Sequence, residues 1–329
     1  MDWHELETAL KAASAKGLVV RALIAHTNRG GEPKLRNLEM RFLEAGIIVG
    51  RTADDLIRYH GKMMIVDSNE LFLLSFNFVH MDIDHSRGFG IVTKNAKVVQ
   101  QAVKLFEADL NRQTYTAGLP TFVVSPTNSR KQLAAFIKQA KKQLLIYDPS
   151  VADKAMIRLL EQRAKAGLDI RVIGSMTTRD PKVKITPLTS MRLHTRTIIR
   201  DGRQAFVGSQ SLRQPELDLR REIGIIVRDV KVVGKLLATF EGDWQSTGFD
   251  EARESAKTAE PEVAPEVTAK ATRALVKEMP PLKMTLKKAI KQAVQRAGKE
   301  ALAHGELKAT VKDAVKKAVK EAVKEMVSE

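Results

Sequence analysis

Two histidines, each followed at fixed distances by a cation, an aspartate and small polar residues, are the side chains best suited to chemistry in this sequence. The first copy of the pattern contains His60, Lys62, Asp67, Ser75 and Asn77. The second copy contains His194, Arg196, Asp201, Ser209 and Ser211. The two copies align without a gap at an offset of 134 residues. Such a repeat predicts two similar halves that each supply one imidazole.

The spacing within each copy favours the handling of phosphate groups. Residues i and i+2 of a strand point to the same side, so each histidine is expected beside the cation that follows it. A fixed cation and an amide or hydroxyl hold the non-bridging oxygens of a phosphate and stabilise the charge of the transition state. One imidazole can attack phosphorus while the other protonates the leaving oxygen. This chemistry uses two histidines, and we expect neither a metal nor another cofactor.

Alternating helices and strands must position these residues. The apolar periodicity predicts helices over 3–16, 33–45, 97–112, 130–142 and 154–166. It predicts strands over 18–25, 47–50, 63–66, 70–74, 88–93, 122–124, 143–147 and 168–174. This alternation indicates an α/β fold with mixed, largely parallel sheets, in two halves packed about a pseudo-twofold axis.

Composition divides the chain into four predicted segments. Residues 1–115 and 116–250 form the two halves, and 251–281 is a flexible linker that includes AEPEVAPEVTA, which has no large apolar residue. Residues 282–329 form a lysine-rich amphipathic helical tail. The valine stripe of the tail has three interpretations: a helix on an anionic membrane, a self-associating hairpin, or a solvated helical appendage.

The first half is expected to be incomplete at its N-terminus. Gly17 and Gly167, which each follow a helix, align at an offset of 150, so Met1 falls opposite Val151. The first half therefore lacks counterparts of the helix 130–142 and the strand 143–147, and this omission would expose a sheet edge. We expect a chain extended upstream to be more stable.

Composition also limits the compartment and the partners. The chain of 329 residues has no cysteine, and no apolar run approaches the roughly 20 residues that span a bilayer. A cytoplasmic protein, soluble or lying on a membrane surface, is expected. The formal charge of +16 favours polyanionic partners, either phospholipid headgroups or nucleic acid, although a solvated basic surface is also compatible with it.

The duplicated H-x-K-x4-D pattern, with its following serine and asparagine, resembles the signature of the phospholipase D superfamily over about residues 5–247. The resemblance implies a metal-independent phosphodiesterase or phosphatidyltransferase that acts through a covalent phosphohistidine. It implies His60 as the nucleophile and His194 as the general acid. The phosphate ligands it implies are Lys62, Asn77, Arg196 and Ser211, accompanied by Ser75 and Ser209. Asp67 and Asp201 would anchor the motif loops, and Glu222 matches the carboxylate that orients a histidine.

The sequence departs from the family pattern at several positions. Arg196 replaces a lysine, Ser211 replaces an asparagine and Leu74 replaces a glycine. Gly88 occupies the position that matches Glu222, which predicts that His60 lacks an orienting carboxylate, with Asp82 or Asp84 as substitutes.

Three functions are compatible with this pattern. Turnover of a phospholipid phosphodiester, of the phospholipase D or cardiolipin synthase type, is favoured. An endonuclease is the first alternative, but an aromatic content of 5% leaves few side chains for stacking bases. A catalytically degenerate module that binds phosphate or an anionic membrane is the second.

Two further groups of polar residues have more than one interpretation. The segment from His80 to His85 contains two aspartates, but its spacing does not place the four side chains on one strand face, so a metal site is not expected there. Arg87, Arg220 and Arg221 are candidates for headgroup contacts or for ion pairs with nearby acids.

Overall fold

The computed structural model describes residues 4–27, 31–177 and 180–249. The predicted linker at 251–281 and the predicted tail at 282–329 lie outside the described residues. Among the helices that are described, none combines the length and the apolar character needed to cross a membrane.

The first half alternates helices and strands at nearly the predicted bounds. Its elements are α1 (His4–Ala15), β1 (Arg21–Ile24), α2 (Glu32–Glu44), β2 (Ile48–Arg51), β3 (Arg58–Tyr59), β4 (Met63–Val66), β5 (Glu70–Leu74), α3 (His80–Asp84), β6 (Ser86–Arg87), β7 (Gly90–Thr93) and α4 (Ala96–Leu110). Helix α4 begins where the side chain of Asn95 accepts a hydrogen bond from the backbone N–H of Val98.

The second half begins with three additional elements and then repeats this order, without a counterpart of α2 among the described residues. It contains β8 (Phe122–Val124), α5 (Ser129–Lys138), β9 (Gln143–Val151), α6 (Lys154–Lys165), β10 (Asp169–Met176), β11 (Val183–Thr186), β12 (Arg192–Leu193), β13 (Arg196–Arg200), β14 (Gln204–Gly208), α7 (Gln214–Asp218), β15 (Arg220–Arg221), β16 (Ile223–Val227) and α8 (Val230–Ser246). Asp153 caps α6 and Asp229 caps α8, each through backbone N–H groups of the first turn.

A seven-stranded mixed sheet forms the centre of the second half, in the order β11-β10-β9-β13-β14-β16-β8. Strands β9, β10 and β11 run parallel, and the remaining neighbours are antiparallel. Side chains alternate between the two faces, so Leu144 and Ile146 pack in one core with α5 and α6. Leu145 and Tyr147 pack in the other core, with residues of α4 and α8. The α/β class predicted from the sequence is confirmed.

The sheets of the first half are less completely buried than the sheet of the second half. Apart from β3 and β6, the described strands of the first half form two separate sheets, β1-β2 and β4-β5-β7. In the second half, β9 lies between β10 and β13 and joins the corresponding strands into one sheet. Phe206, on the face of the second sheet that packs with α5, is fully buried. Phe72, its counterpart at the 134-residue offset, is only partly buried. Val92, which pairs with Phe72 on the neighbouring strand β7, is 55% exposed. Among the described residues, the first half has no counterpart of α5 or β9.

Reciprocal strand pairs join the two halves and define the pseudo-twofold relation. Strand β3 pairs with β15, and β6 pairs with β12. At the offset of 134 residues, β3 corresponds to β12 and β6 corresponds to β15. The two pairings are therefore equivalent contacts with the roles of the two halves exchanged. A twofold arrangement requires this reciprocity.

Two ion pairs between the halves follow the same pseudo-twofold relation. Arg87 of the first half donates through Nε and Nη2 to Asp243 in α8, at 2.7 and 2.8 Å. Arg221 of the second half donates through Nη2 to Asp109 in α4 at 2.9 Å. Arg220 donates to Glu216 at 3.0 Å. The three arginines therefore pair with nearby acids, which was one of the two interpretations of the sequence.

Loss of the buried Arg221–Asp109 pair should destabilise the junction. The two side chains are 9% and 6% exposed, and burial raises the pKa of Asp109. Arg221→Met would leave the Asp109 carboxyl group buried without its cation, so we expect the free energy of unfolding to fall by about 3–5 kcal/mol. Denaturant unfolding followed by circular dichroism measures this change.

An exposed ion pair on the same helix α4 provides the control. Arg21 and Glu107 are 34% and 41% exposed, so Arg21→Met should cost less than about 1 kcal/mol. Equal losses in the two variants would contradict a structural role for the buried pair.

Candidate active site

The backbone of each motif histidine is held by the opposite half. His60 follows β3, and its N–H donates to the carbonyl of Arg221 at 2.7 Å. His194 follows β12, and its N–H donates to the carbonyl of Arg87 at 3.1 Å. The strand pairs that join the halves therefore end at the two imidazoles.

Glu222 orients His60 from across the junction. The Nδ1 atom of His60 lies 2.9 Å from Oε2 of Glu222, a side chain with no exposed surface. Burial by itself would raise the pKa of Glu222, but His60 and Lys62 hold it below its ordinary value. The ionised carboxylate then accepts a hydrogen bond from the Nδ1–H group of the ring. The proton is thereby held on Nδ1, and Nε2 is the basic nitrogen.

The protonation state of His60 suits a nucleophile. Burial lowers its pKa to about 4, although Glu222 acts in the opposite direction. Near neutral pH the ring is therefore uncharged, and its Nε2 carries a lone pair.

The expectation that His60 lacks an orienting carboxylate is wrong. The alignment matched Glu222 to Gly88 on the assumption that each half serves its own histidine, whereas Glu222 crosses to the other half. Gly88 cannot carry a side chain without rearrangement, because a Cβ there would lie 2.7 Å from Cδ1 of Phe76. His194 instead has a backbone partner, since its Nδ1 lies 2.9 Å from the carbonyl oxygen of Ser75.

Asp82 lies against His194 and not against His60, where it was expected as a substitute. Its Oδ2 atom is 3.3 Å from Nε2 of His194. The same Nε2 atom lies 3.4 Å from the amide nitrogen of Asn77, so it faces both an acceptor and a donor. Burial and Arg196 lower the pKa of His194 to about 4, and Asp82 opposes them.

Asp82 is itself fixed and charged. It accepts hydrogen bonds from the backbone N–H of Asn77 at 2.8 Å, from the Asn77 amide and from Arg192. Burial alone would raise the pKa of Asp82, but these donors and His194 keep it below its usual value. The repeat did not identify this carboxylate as a site residue, because its counterpart Glu216 pairs with Arg220.

Lys62 links the two imidazoles electrostatically. Its side chain is buried, and its Nζ atom makes no hydrogen bond to any residue that the structure describes. Burial lowers the pKa of Lys62 well below its ordinary value. Lys62 in turn lowers the pKa of both His60 and His194. The two histidines and this cation therefore belong to one charged site.

Arg196 and Ser211 contribute from the second half. Arg196 donates through Nε to Oγ of Ser211 at 3.1 Å and through Nη1 to the carbonyl of His194 at 2.5 Å. The planar guanidinium is thus held in one orientation beside His194.

The motif serines shape the loops around the histidines, whereas the motif aspartates lie at the far ends of their strands. The hydroxyls of Ser75 and Ser209 accept hydrogen bonds from the backbone N–H groups of Phe89 and Ile223, at 2.9 and 3.2 Å. Asp201, with φ of 54°, lies beyond the far end of β13, and Asp67, with φ of 50°, follows β4 in the same way. The carboxylate of Asp201 accepts hydrogen bonds from the backbone N–H groups of Lys141, Lys142 and Gln143.

The segment from His80 to His85 does not form a metal cluster in the described residues. His80 Nδ1 lies 3.3 Å from Asp84, and both side chains are about half exposed. A group of three or more His, Cys, Asp or Glu arranged to hold a metal ion is absent from the described part of the chain.

Comparisons with known proteins identify the family and the fold. The family model described as cardiolipin synthase, PLD-like domain, matches residues 3–110 and 133–244. The crystal structure of polyphosphate kinase from Porphyromonas gingivalis superposes with a TM-score of 0.60 at 20% identity, over 72% of this chain and 43% of that one. Phosphatidylserine synthase from Haemophilus influenzae superposes with a TM-score of 0.53 at 10% identity, over 73% and 76%. A search of the curated proteins gives no match.

Each buried carboxylate should control the proton affinity of one histidine. Glu222→Gln removes the negative charge beside His60, so the pKa of His60 should fall by about 1 unit. Asp82→Asn removes the charge beside His194, so the pKa of His194 should fall by a similar amount. Titration of the assigned imidazole resonances by NMR measures both.

The two variants control each other. Glu222→Gln should leave His194 unchanged, and Asp82→Asn should leave His60 unchanged. A shift of both histidines in both variants would mean that the site had rearranged and would contradict the assignment of one carboxylate to each ring.

Proposed function

Because the chain belongs to the cardiolipin synthase family of phospholipase D-like domains, we propose that it cleaves or transfers a phospholipid phosphodiester through a covalent phosphohistidine. The observation that carries this proposal is the buried Lys62 ammonium, which lies within electrostatic reach of both imidazoles and has no hydrogen-bond partner among the described residues. A phosphate oxygen would supply that partner. The chain spans 43% of the length of the polyphosphate kinase it resembles in fold.

His60 is the proposed nucleophile. Its Nε2 lone pair attacks phosphorus, a nitrogen–phosphorus bond forms, and the bond from phosphorus to the leaving oxygen breaks. The ring becomes positively charged in this step. Glu222, 2.9 Å from Nδ1, stabilises that charge.

His194 is the proposed general acid. A proton passes from its Nε2 to the leaving oxygen as the bond to phosphorus breaks. In the second step the neutral ring accepts a proton from the incoming water or alcohol, whose oxygen attacks phosphorus and releases His60. Asp82 increases the fraction of His194 that carries this proton, against the opposing effects of burial and Arg196.

The phosphate oxygens are held by Lys62, Asn77 and Arg196 in this proposal. A bound phosphate would favour the charged form of Lys62 against the effect of burial. In a site of low dielectric constant, that charge stabilises the additional negative charge of the transition state strongly. Arg196 is already held by Ser211 and the carbonyl of His194, which reduces the cost of reorganisation during the reaction.

The family model and the composition support a phospholipid substrate. The description of the family model refers to cardiolipin synthase, and phosphatidylserine synthase shares the fold, so both names point to phosphatidyl groups. Few aromatic side chains, 5% of the sequence, are available for stacking nucleic acid bases. We therefore place phospholipid before DNA as the substrate.

Covalent labelling tests the proposal directly. In the presence of EDTA, the wild-type chain should turn over phosphatidylcholine or phosphatidylglycerol and carry an acid-labile phosphoryl label. His60→Ala should abolish the label. A label that persists in His60→Ala and disappears in His194→Ala would reverse the two roles.

Plasmid DNA in the same buffer is the matched substrate control. Nicking of DNA without lipid turnover would indicate that the chain is an endonuclease. Absence of turnover of all three substrates would mean a phosphate-binding module without catalysis.

General-acid catalysis by His194 should depend on the leaving group. Asp82→Asn leaves less of the protonated ring, so hydrolysis of an alkyl phosphodiester should slow by about 10-fold or more. A p-nitrophenyl ester needs little protonation of its leaving group and should be affected much less. Comparison of kcat/KM for the two esters measures the effect, and equal losses would indicate structural damage in place of lost proton transfer.

A further inference from the structure

A second concave surface with a strong positive charge lies away from the candidate active site. This basic basin has a volume of about 560 Å³ and is lined by Lys138, Gln139, Ala140, Lys141, Arg163, Arg200, Asp201, Arg203 and Gln204. Strand β13 begins with Arg196 in the active site and ends with Arg200 in the basin. At about 3.3 Å per residue, the two sites are roughly 13 Å apart along the strand.

The basin contains five cationic side chains and one carboxylate. The carboxylate of Asp201 is already occupied, because it accepts hydrogen bonds of 2.7–3.1 Å from three consecutive backbone N–H groups. Within the described ranges, the structure shows no salt bridge to Lys138, Lys141, Arg163, Arg200 or Arg203. The positive charge of the basin is therefore not neutralised by side chains of this part of the protein.

Arg200 provides a rigid, buried part of the basin. The residue is 7% exposed, and its guanidinium lies 4.4 Å from the centre of the Phe136 ring. Nη1 donates to the carbonyl of Phe136 and to Oε1 of Gln139, both at 3.0 Å, and Nη2 donates to Oε1 of Gln204 at 2.7 Å. Burial lowers the pKa of Arg200, Asp201 opposes that effect, and Arg228 adds to it. The hydrogen-bond acceptors of Arg200 are neutral, and the carboxylate of Asp201, which acts on its charge, also accepts hydrogen bonds from three backbone N–H groups.

A purely structural role accounts for only part of the basin. Arg200 and Arg163 donate to the carbonyls of Phe136 and Ala140 near the C-terminal end of α5, where cations are favourable. This role explains neither the three exposed cations nor the Nε atom of Arg163, which is buried and has no hydrogen-bond partner among the described residues. A multiply charged anion would interact with the three exposed cations.

We propose that the basic basin binds a phosphate group with at least two negative charges, at a site separate from the candidate catalytic centre. Several cations around a concave surface favour a compact anion with several oxygen acceptors. The phosphomonoester headgroup of a lipid and a free phosphate or pyrophosphate share this chemistry. Helix α5 supplies Lys138, and Lys141 follows shortly after its end; among the described residues, the first half has no counterpart of this helix.

Titration of the full chain with pyrophosphate in EDTA tests the proposal without reference to catalysis. The backbone amide resonances of Lys141, Gly202 and Arg203 should shift saturably, because they lie at the basin. The double variant Lys138→Glu/Arg203→Glu should bind pyrophosphate at least about tenfold more weakly at these amides. Lys131→Glu, an exposed charge reversal on the same helix, should bind as the wild type does.

The proposal would be overturned if these amides did not respond to pyrophosphate, or if the double variant bound as tightly as the wild type. Co-sedimentation with vesicles of phosphatidic acid in phosphatidylcholine then separates the two sources of phosphate. Weaker co-sedimentation of the double variant than of Lys131→Glu would support a lipid headgroup. Equal co-sedimentation, together with a pyrophosphate difference, would support a soluble phosphate.

Discussion

The reciprocal pairing of four two-residue strands determines the candidate active site. The pairs β3–β15 and β6–β12 bring the two motif copies together with the same register in opposite senses. The backbone N–H of each histidine then donates to an arginine carbonyl of the other half. The side chains of those same arginines form buried or half-buried ion pairs with α4 and α8. Neither half has this site without the other, because each supplies ligands and orienting groups to its partner's histidine.

The two imidazoles are equivalent in the repeat but not in chemistry. His60 has one ring nitrogen on a carboxylate, whereas His194 has a carbonyl on one side and a carboxylate on the other. Lys62 raises the cost of a positive charge on both rings. The two copies differ at most aligned positions, and two of these differences bear directly on the histidines. Gly88 stands opposite Glu222, and Glu216 stands opposite Asp82.

The sequence predicted the elements well where periodicity extended over a turn or more. The bounds of α4 and β5 differ from the expected ones by two residues or less. The gapless register of 134 residues also anticipated the pseudo-twofold relation. Strands of two residues have no periodicity, so β3, β6, β12 and β15 were not predicted. The partner of Glu222 was missed for a different reason: an alignment compares positions within halves, whereas the contact crosses between them.

The sheets of the two halves are buried to different extents, and this difference affects the order in which the halves unfold. Apolar surface that is already exposed to solvent, such as Val92 and part of Phe72, contributes little to the free energy that opposes local opening. The first half should therefore form the weaker cooperative unit, and it carries His60, Lys62, Asn77 and Asp82. On heating, the candidate site would disassemble while the seven-stranded sheet is still intact. Inactivation would then precede the main unfolding transition, with half of the fold surviving it.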